Sequence, residues 1–198
     1  MLSNPFYASY VKVENAWQEK YGEHIIMYPS NSSVCIGYSP KFQGLIKIRY
    51  VFNPPKEDWF FTSINIHKKI IEYDQTMPKI LDVFNVGDVY CKVIEWIDGV
   101  DLGTLQRKLV KIPPIYYYKF GYFLYKLTTD LEFYLYDSAK GNVIYRYKYD
   151  DLMLCDFGSY SIVEKEEHRE CLEFFLRWSV ATGEQVKEFY CGYKGIKK

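Results

Sequence analysis

The sequence has few cysteines and histidines, and neither kind of residue is grouped. Five cysteines (Cys35, Cys91, Cys155, Cys171 and Cys191) lie far apart and form no Cys-x-x-Cys pair. Their odd number and wide spacing argue against a disulfide framework or a cysteine zinc site and favour a reducing compartment. The three histidines are equally scattered, so we assign none of them to a metal.

The chain also lacks a charge surplus and a long apolar run. Its 25 Lys and Arg balance 25 Asp and Glu, which argues against nucleic acid or an anionic membrane surface as the main partner. No apolar run approaches the roughly 18 residues that a membrane span needs, and the N-terminus lacks the pattern of a secretory signal. We therefore expect a protein without a membrane span that acts in a cytoplasm, its own or, after delivery without a cleaved signal, that of a host cell.

The first half of the chain has the pattern of an antiparallel sheet. Strands are predicted over residues 24–28, 34–39 and 44–52, separated by polar breaks with proline. A helix is predicted over 59–76, and two further strands flank a turn at 85–88. These elements predict a five-stranded antiparallel sheet with one helix.

The second half has the pattern of helices interrupted by one hairpin. Helices are predicted over 102–110 and about 115–133, and an amphipathic helix within 161–180. Between them, residues 143–154 have the pattern of a β-hairpin. The predicted fold class is therefore α+β.

Two short motifs flank the hairpin. They are YDSAKGN at 136–142 and LCDFG at 154–158. Together with the order of elements, they resemble the catalytic loop and the DFG motif of the protein-kinase superfamily, and the resemblance covers residues 24 to about 160. It implies one minimal, two-lobed kinase domain, with an N-lobe over about 1–97 and a reduced, mostly helical C-lobe over 98–198.

The resemblance implies ATP and Mg²⁺ as cofactors. Asp137 matches the catalytic base that orients the acceptor hydroxyl, and Asn142 and Asp156 match the metal ligands. Carboxylate and amide oxygens suit magnesium, and the hairpin would bring Asn142 and Asp156 to the same ion. Two ordinary turns at the ends of a hairpin are the alternative explanation.

The resemblance also implies how the first half would bind the nucleotide phosphates. GLIKI resembles the third kinase strand, so that Lys47 would bind the phosphates, although Arg49 on the same strand face is an alternative. A lysine in an apolar strand needs a compensating charge or an exit to solvent. Glu72 is the nearest helical acid that could pair with Lys47.

The segment VIEWIDGVDL resembles the hinge that joins the two kinase lobes. Ile94 would be the gatekeeper residue, Glu95 and Ile97 would offer backbone groups to adenine, and Asp101 would reach the ribose hydroxyls. An exposed turn after a buried strand explains the same residues without a ligand.

The chain departs from the kinase pattern in three places. Ser32 and Ser33 stand where the glycine-rich phosphate loop is expected, and Leu135 and Tyr136 replace the usual His-Arg pair of the catalytic loop. Lys140 lies within the catalytic-loop match and would neutralise the transferring phosphoryl group. Only 40 residues follow Gly158, as in the minimal kinases that bacterial pathogens deliver as effectors.

We therefore expect a Ser/Thr protein kinase of the effector type that acts on a protein substrate of a host cell. Two alternatives remain open at this stage: a pseudokinase that docks a partner protein, and a small-molecule phosphotransferase. No residue specifies the acceptor.

Overall fold

The computed structural model of the chain describes residues 7–31, 33–55, 58–135, 140–156, 160–161 and 165–197. The fold is α+β and divides into two compact units, Met1–Trp96 and Ile97–Lys198. Each unit has its own sheet and helices.

The N-terminal unit is built around a five-stranded antiparallel sheet. Its strands are β1 Ile26–Asn31, β2 Val34–Ser39, β3 Gly44–Phe52, β4 Ile80–Val86 and β5 Val89–Glu95, and its helices are α1 Tyr7–Tyr21 and α2 Trp59–Tyr73. The strand order is β1-β2-β3-β5-β4. The five strands and α2 confirm the predicted sheet, whereas α1 was not predicted.

The two faces of this sheet differ in character because side chains alternate along a strand. On β3, the buried residues Ile46, Ile48 and Tyr50 belong to the core on one face. Lys47 and Arg49 lie on the opposite face and are only half-buried. The central strand therefore has an apolar face and a cationic face.

Helix α1 packs on the apolar face, so the prediction of a single helix with this sheet is wrong. Trp17 is fully buried there, and its ring meets that of Phe84 edge to face at 6.2 Å. Val13 and Ala16 complete its buried stripe. Only three of its 15 residues are buried, which explains why its sequence pattern is weak.

Two elements of this unit end at residues other than those that the sequence predicts. Strand β1 continues through Pro29 to Asn31, with a register irregularity between these residues. The predicted proline break does not occur because β1 is an edge strand, where proline and bulges are tolerated. Helix α2 begins at the Asp58 N-cap and ends at Tyr73 rather than at 76.

The C-terminal unit is richer in helix than in strand. Its helices are α3 Leu102–Arg107, α4 Pro114–Leu131, α5 Lys165–Trp178 and α6 Gly183–Tyr193, and its strands are β6 Gly99–Asp101, β7 Tyr134–Leu135, β8 Val143–Arg146, β9 Asp151–Leu154 and β10 Tyr160–Ser161. Strands β6-β8-β9 form one sheet, and β7 pairs with β10. The hairpin β8–β9 confirms the prediction, whereas β6, β7, β10 and α6 were not predicted.

Aromatic side chains form the helical core of this unit. Phe120 of α4, Phe175 of α5 and Phe189 of α6 are fully buried, and their ring centroids lie 5.3 to 6.2 Å apart. Such contacts add to the area that each ring buries. Among the residues that the structure describes, no helix is both long and apolar enough to cross a membrane.

Candidate functional site

The hairpin β8–β9 places Asn142 beside the residue that precedes Asp156. Val143 pairs with Leu154, and one step further the Cys155 N–H donates to the Asn142 carbonyl oxygen at 2.7 Å. Asn142 and Asp156 are both half-buried. Two residues that are 14 positions apart in the chain are thus neighbours at the open end of the hairpin.

The three-stranded sheet brings Asp101 to the same end. Strand β6 runs antiparallel to β8, with Asp101 opposite Ile144. Since β9 is also antiparallel to β8, β6 and β9 both finish where β8 begins. The structure therefore gathers three of the predicted site residues, Asp101, Asn142 and Asp156, at one sheet end.

A buried ion pair holds the other end of the hairpin together. Arg146 Nε donates to Asp151 Oδ1 at 2.8 Å, and Nη2 donates to Oδ2 at 2.6 Å. The Arg146 side chain is 4% exposed, and its guanidinium lies 4.3 Å from the centroid of the Tyr149 ring. The bidentate geometry fixes the register that places Asn142 next to Cys155.

Asp101 has a structural role at this sheet end. Its Oδ1 accepts from the Thr104 N–H at 2.8 Å, and its Oδ2 accepts from the Thr104 hydroxyl at 2.6 Å. Asp101 is thus the N-cap of α3. Both carboxylate oxygens already accept a hydrogen bond, so binding of ribose would have to share them with the cap.

Several predicted site residues are described only in part or not at all. Asp137 and Ser32 lie outside the described residues. Lys140 begins the 3-10 turn Lys140–Asn142 that leads into β8. Ser33 is half-buried in the turn between β1 and β2, where its carbonyl oxygen accepts from Tyr50 N–H at 2.9 Å.

Lys47 lies on the cationic face of the N-terminal sheet, between two apolar neighbours. It pairs with Ile36 on one side and with Ile94, the predicted gatekeeper, on the other. The Arg49 guanidinium lies over the Trp59 ring, 4.3 Å from its centroid. Because Arg49 packs on a ring, Lys47 is the better candidate for binding an anion.

A second lysine, Lys92, is buried on the same face. It pairs across the strands with Arg49, is 1% exposed, and donates from Nζ to the Ser63 carbonyl oxygen at 3.0 Å. The sequence signal for Lys92 was the same as that for Lys47, a lysine inside an apolar strand. The kinase resemblance identifies only Lys47.

His67 of α2 approaches these lysines as a neutral ring. Its Nε2 lies 2.7 Å from the Pro78 carbonyl oxygen, which can only accept, so Nε2 carries the proton. Burial, followed by the positive charge of Lys92, lowers the pKa of His67 to about 3. The charge of Lys47 lowers this pKa further.

Glu72 does not lie where a partner of Lys47 is needed. It is exposed and stands five residues after the buried His67, about 140° further around the helix. The sheet-facing side of α2 is formed by residues such as Ser63, His67 and Ile70. The expected pairing of Glu72 with Lys47 is therefore wrong, and the neutral His67 lies on the side of α2 where the acid was expected.

The predicted hinge residues occur at the boundary of the two units. The Glu95 N–H donates to the Lys79 carbonyl oxygen at 2.9 Å, and the Glu95 carboxylate accepts from the Lys79 N–H at 3.2 Å. A contact between adenine and Glu95 would thus have to use its carbonyl group. Ile97 is half-buried at the start of the C-terminal unit.

The side chains at the open end of the hairpin carry the kind of donor atoms that magnesium prefers. The amide oxygen of Asn142 and the carboxylate of Asp156 are hard oxygen ligands, and Mg²⁺ usually takes few protein ligands and keeps several waters. Within the described parts of the chain, no three His, Cys, Asp or Glu side chains form a group that could hold a metal. A site here would therefore depend on Asn142 and on other oxygen donors.

No protein-family model matches the chain, and no curated protein matches it.

Proposed function

We propose that this chain catalyses ATP- and magnesium-dependent transfer of a phosphoryl group to a Ser or Thr hydroxyl of a protein. The observation that supports the proposal best is the hydrogen bond from Cys155 N–H to the Asn142 carbonyl oxygen, which brings Asn142 and Asp156 together. The kinase resemblance requires this proximity. Lys47, half-buried between isoleucines, supports a role for an anionic ligand.

Each residue has a defined task in the proposed reaction. Asn142 and Asp156 would hold Mg²⁺, which when bound offsets the charge of the phosphates. Lys47 would bind the phosphates that are not transferred. Asp137 would orient the acceptor hydroxyl and take its proton, and Lys140 would offset charge on the transferring group.

Transfer of radiolabel from ATP to proteins of a eukaryotic cell lysate tests the proposal. Wild-type protein is expected to label specific lysate proteins in the presence of Mg²⁺, and Asp156→Asn and Asp137→Asn are expected to abolish the labelling. Asp130→Asn, on the surface of α4 and paired with Lys126, is the matched control and should keep full activity. Undiminished transfer in the first two variants would reject the assignment.

A second candidate function is a nucleotide-binding pseudokinase that docks a partner protein. The position of Glu72 favours it, because the acid expected beside Lys47 is replaced by the neutral His67. Such a protein would bind ATP without transferring phosphate. A rise in melting temperature with Mg²⁺ and ATP, without labelling of any protein, would support this candidate. If Mg²⁺ and ATP cause no rise in melting temperature and no protein is labelled, both candidate functions are rejected.

A further inference from the structure

A cavity of about 660 Å³ opens in the C-terminal unit. It lies among the end of α4, strand β7 and helices α5 and α6. Its volume is in the range of small-molecule sites. None of its described lining residues is among those assigned to phosphoryl transfer.

Aromatic side chains form the walls of this cavity. Tyr134, Tyr190, Tyr193 and His168 line it, and Leu172, which is 2% exposed, adds an apolar surface. The Tyr134 and Tyr193 rings lie 5.3 and 5.5 Å from the His168 ring. Rings fixed in this way offer flat faces and edges to a planar ligand.

One polar pair is fixed inside the aromatic wall. A ring nitrogen of His168, a residue that is 4% exposed, forms a hydrogen bond of 2.6 Å with the Tyr193 hydroxyl. Burial raises the pKa of Tyr193, so its hydroxyl stays protonated at neutral pH. The pair therefore orients the Tyr193 ring and keeps a neutral polar group in the cavity.

Among the described lining residues, two are cationic, Arg169 and Lys194, and one is acidic, Glu173. Arg169 Nε and Glu173 Oε1 form an ion pair of 3.1 Å, one turn apart on α5. Lys194, at the end of α6, is exposed, and no described residue forms an ion pair with it. A tyrosine cage can also hold an organic cation, but the surplus positive charge of this lining disfavours one.

We propose that this cavity binds a planar aromatic carboxylic acid, with the aromatic ring against the tyrosines and the carboxylate at Lys194. The proposal does not depend on phosphoryl transfer, because it uses none of the residues assigned to that reaction. It assigns a ligand class that neither the kinase resemblance nor the hairpin residues supply.

Titration with indole-3-acetate, followed by amide NMR of the full chain, tests the proposal. We expect saturable shifts at residues of α5 and α6 such as Leu172 and Tyr190. Tyr190→Leu keeps an apolar side chain but removes the ring, and should raise the Kd about threefold to tenfold. Lys194→Gln, at an exposed position that leaves the core intact, should raise the Kd about twofold to fivefold.

Three matched compounds separate the parts of the proposal. Indole-3-acetamide lacks the charge and cyclohexylacetate lacks the aromatic ring, so both should bind more weakly than indole-3-acetate. Choline should not bind. The proposal is overturned if the amide or the cyclohexyl acid binds as tightly, if choline binds better, if the shifts lie elsewhere, or if indole-3-acetate does not bind.

Discussion

Gly121 of α4 and Gly192 of α6 lie where the two helices cross at backbone contact. A Cβ atom on Gly121 would overlap the Phe189 carbonyl oxygen, and one on Gly192 would overlap the Tyr118 carbonyl oxygen. Each glycine therefore lets the backbone of the other helix approach. The same crossing buries Phe120 against Phe189, 6.2 Å apart, so the core of the unit depends on it.

Substitution of either glycine by alanine should destabilise the protein. The added methyl group meets backbone atoms, which cannot move aside as a flexible side chain can. We expect Gly192→Ala to lower the free energy of unfolding by about 1–3 kcal/mol, although alanine favours a helix by about 1 kcal/mol. Urea denaturation followed by circular dichroism measures the change.

The same helix supplies the control. Gly183, at the start of α6, has open space where a Cβ would be. Gly183→Ala should leave the free energy of unfolding unchanged or raise it by up to about 1 kcal/mol. Equal effects at Gly183 and Gly192 would contradict the close crossing.

The ion pair between Arg146 and Asp151 should contribute more to stability than an exposed ion pair. Arg146→Met removes two charge-assisted hydrogen bonds and leaves a carboxylate whose side chain is 21% exposed. We expect the free energy of unfolding to fall by about 2–3 kcal/mol. Arg169→Met breaks an exposed pair on α5 and should cost at most about 0.5 kcal/mol. Similar losses in both variants would show that burial of the pair is unimportant.

The sequence predicts those elements whose pattern is local. Alternation in GLIKIRYVF defines β3, and the polar turns define the β4–β5 and β8–β9 hairpins. Helix α6 was not predicted. Thr182 and Gln185 form a capping box at its start, and this signal is present in the sequence. Helix α1 has only a narrow apolar stripe around Trp17. This stripe is buried against side chains of the sheet, and that contact is not visible in the local sequence pattern.

In the candidate site, too, only the features that depend on local elements could be predicted. The proximity of Asn142 and Asp156 follows from a hairpin, a local element, and could be predicted. Packing of Phe60 and Ile64 decides which side of α2 faces the sheet. The position of Glu72 relative to Lys47 therefore could not be predicted from the sequence. The start of α3 at residue 102 was predicted, but Asp101 was assigned to the ribose hydroxyls and not to the N-cap position that directly precedes this helix.

His67 should make the stability of the protein depend on pH below neutrality. The pKa of His67 is about 3 in the folded protein, below its ordinary value of 6.5, so the unfolded chain binds a proton first as the pH falls. The stabilisation is complete above pH 6.5 and is lost on acidification towards pH 3, with a slope of up to about 1.4 kcal/mol per pH unit. His67→Gln, which can still donate to Pro78, should reduce this slope.

Urea denaturation at several pH values measures the effect. His24→Gln, at an exposed histidine of the same unit, controls for the loss of a histidine. If both variants show the same dependence on pH, the environment of His67 does not account for the slope.

Asp101 allows its capping role to be separated from a role in binding nucleotide. Asp101→Ser keeps an N-cap side chain, whereas Asp101→Ala removes it. We expect the alanine variant to lose about 1 kcal/mol of unfolding free energy and the serine variant only a few tenths. Under the proposed function, both variants lack the carboxylate and should raise the KM for ATP. An equal loss of stability in both variants would contradict the cap.

Manganese offers a direct test of the open end of the hairpin as a metal site. With ATP present, paramagnetic Mn²⁺ at Asn142 and Asp156 should broaden the amide signals of Val143 and Cys155 first, and excess Mg²⁺ should reverse the broadening. The turn 147–150 is the internal control, because it lies at the far end of the same hairpin, roughly 15 Å along the strands. Paramagnetic broadening falls with the sixth power of distance, so the two ends should differ clearly at low Mn²⁺ concentration.

Asp156→Asn should abolish the effect at Val143 while leaving the hairpin folded, since the ion pair of Arg146 and Asp151 is untouched. Equal broadening at both ends, or broadening that persists in Asp156→Asn, would mean that the hairpin does not hold the metal.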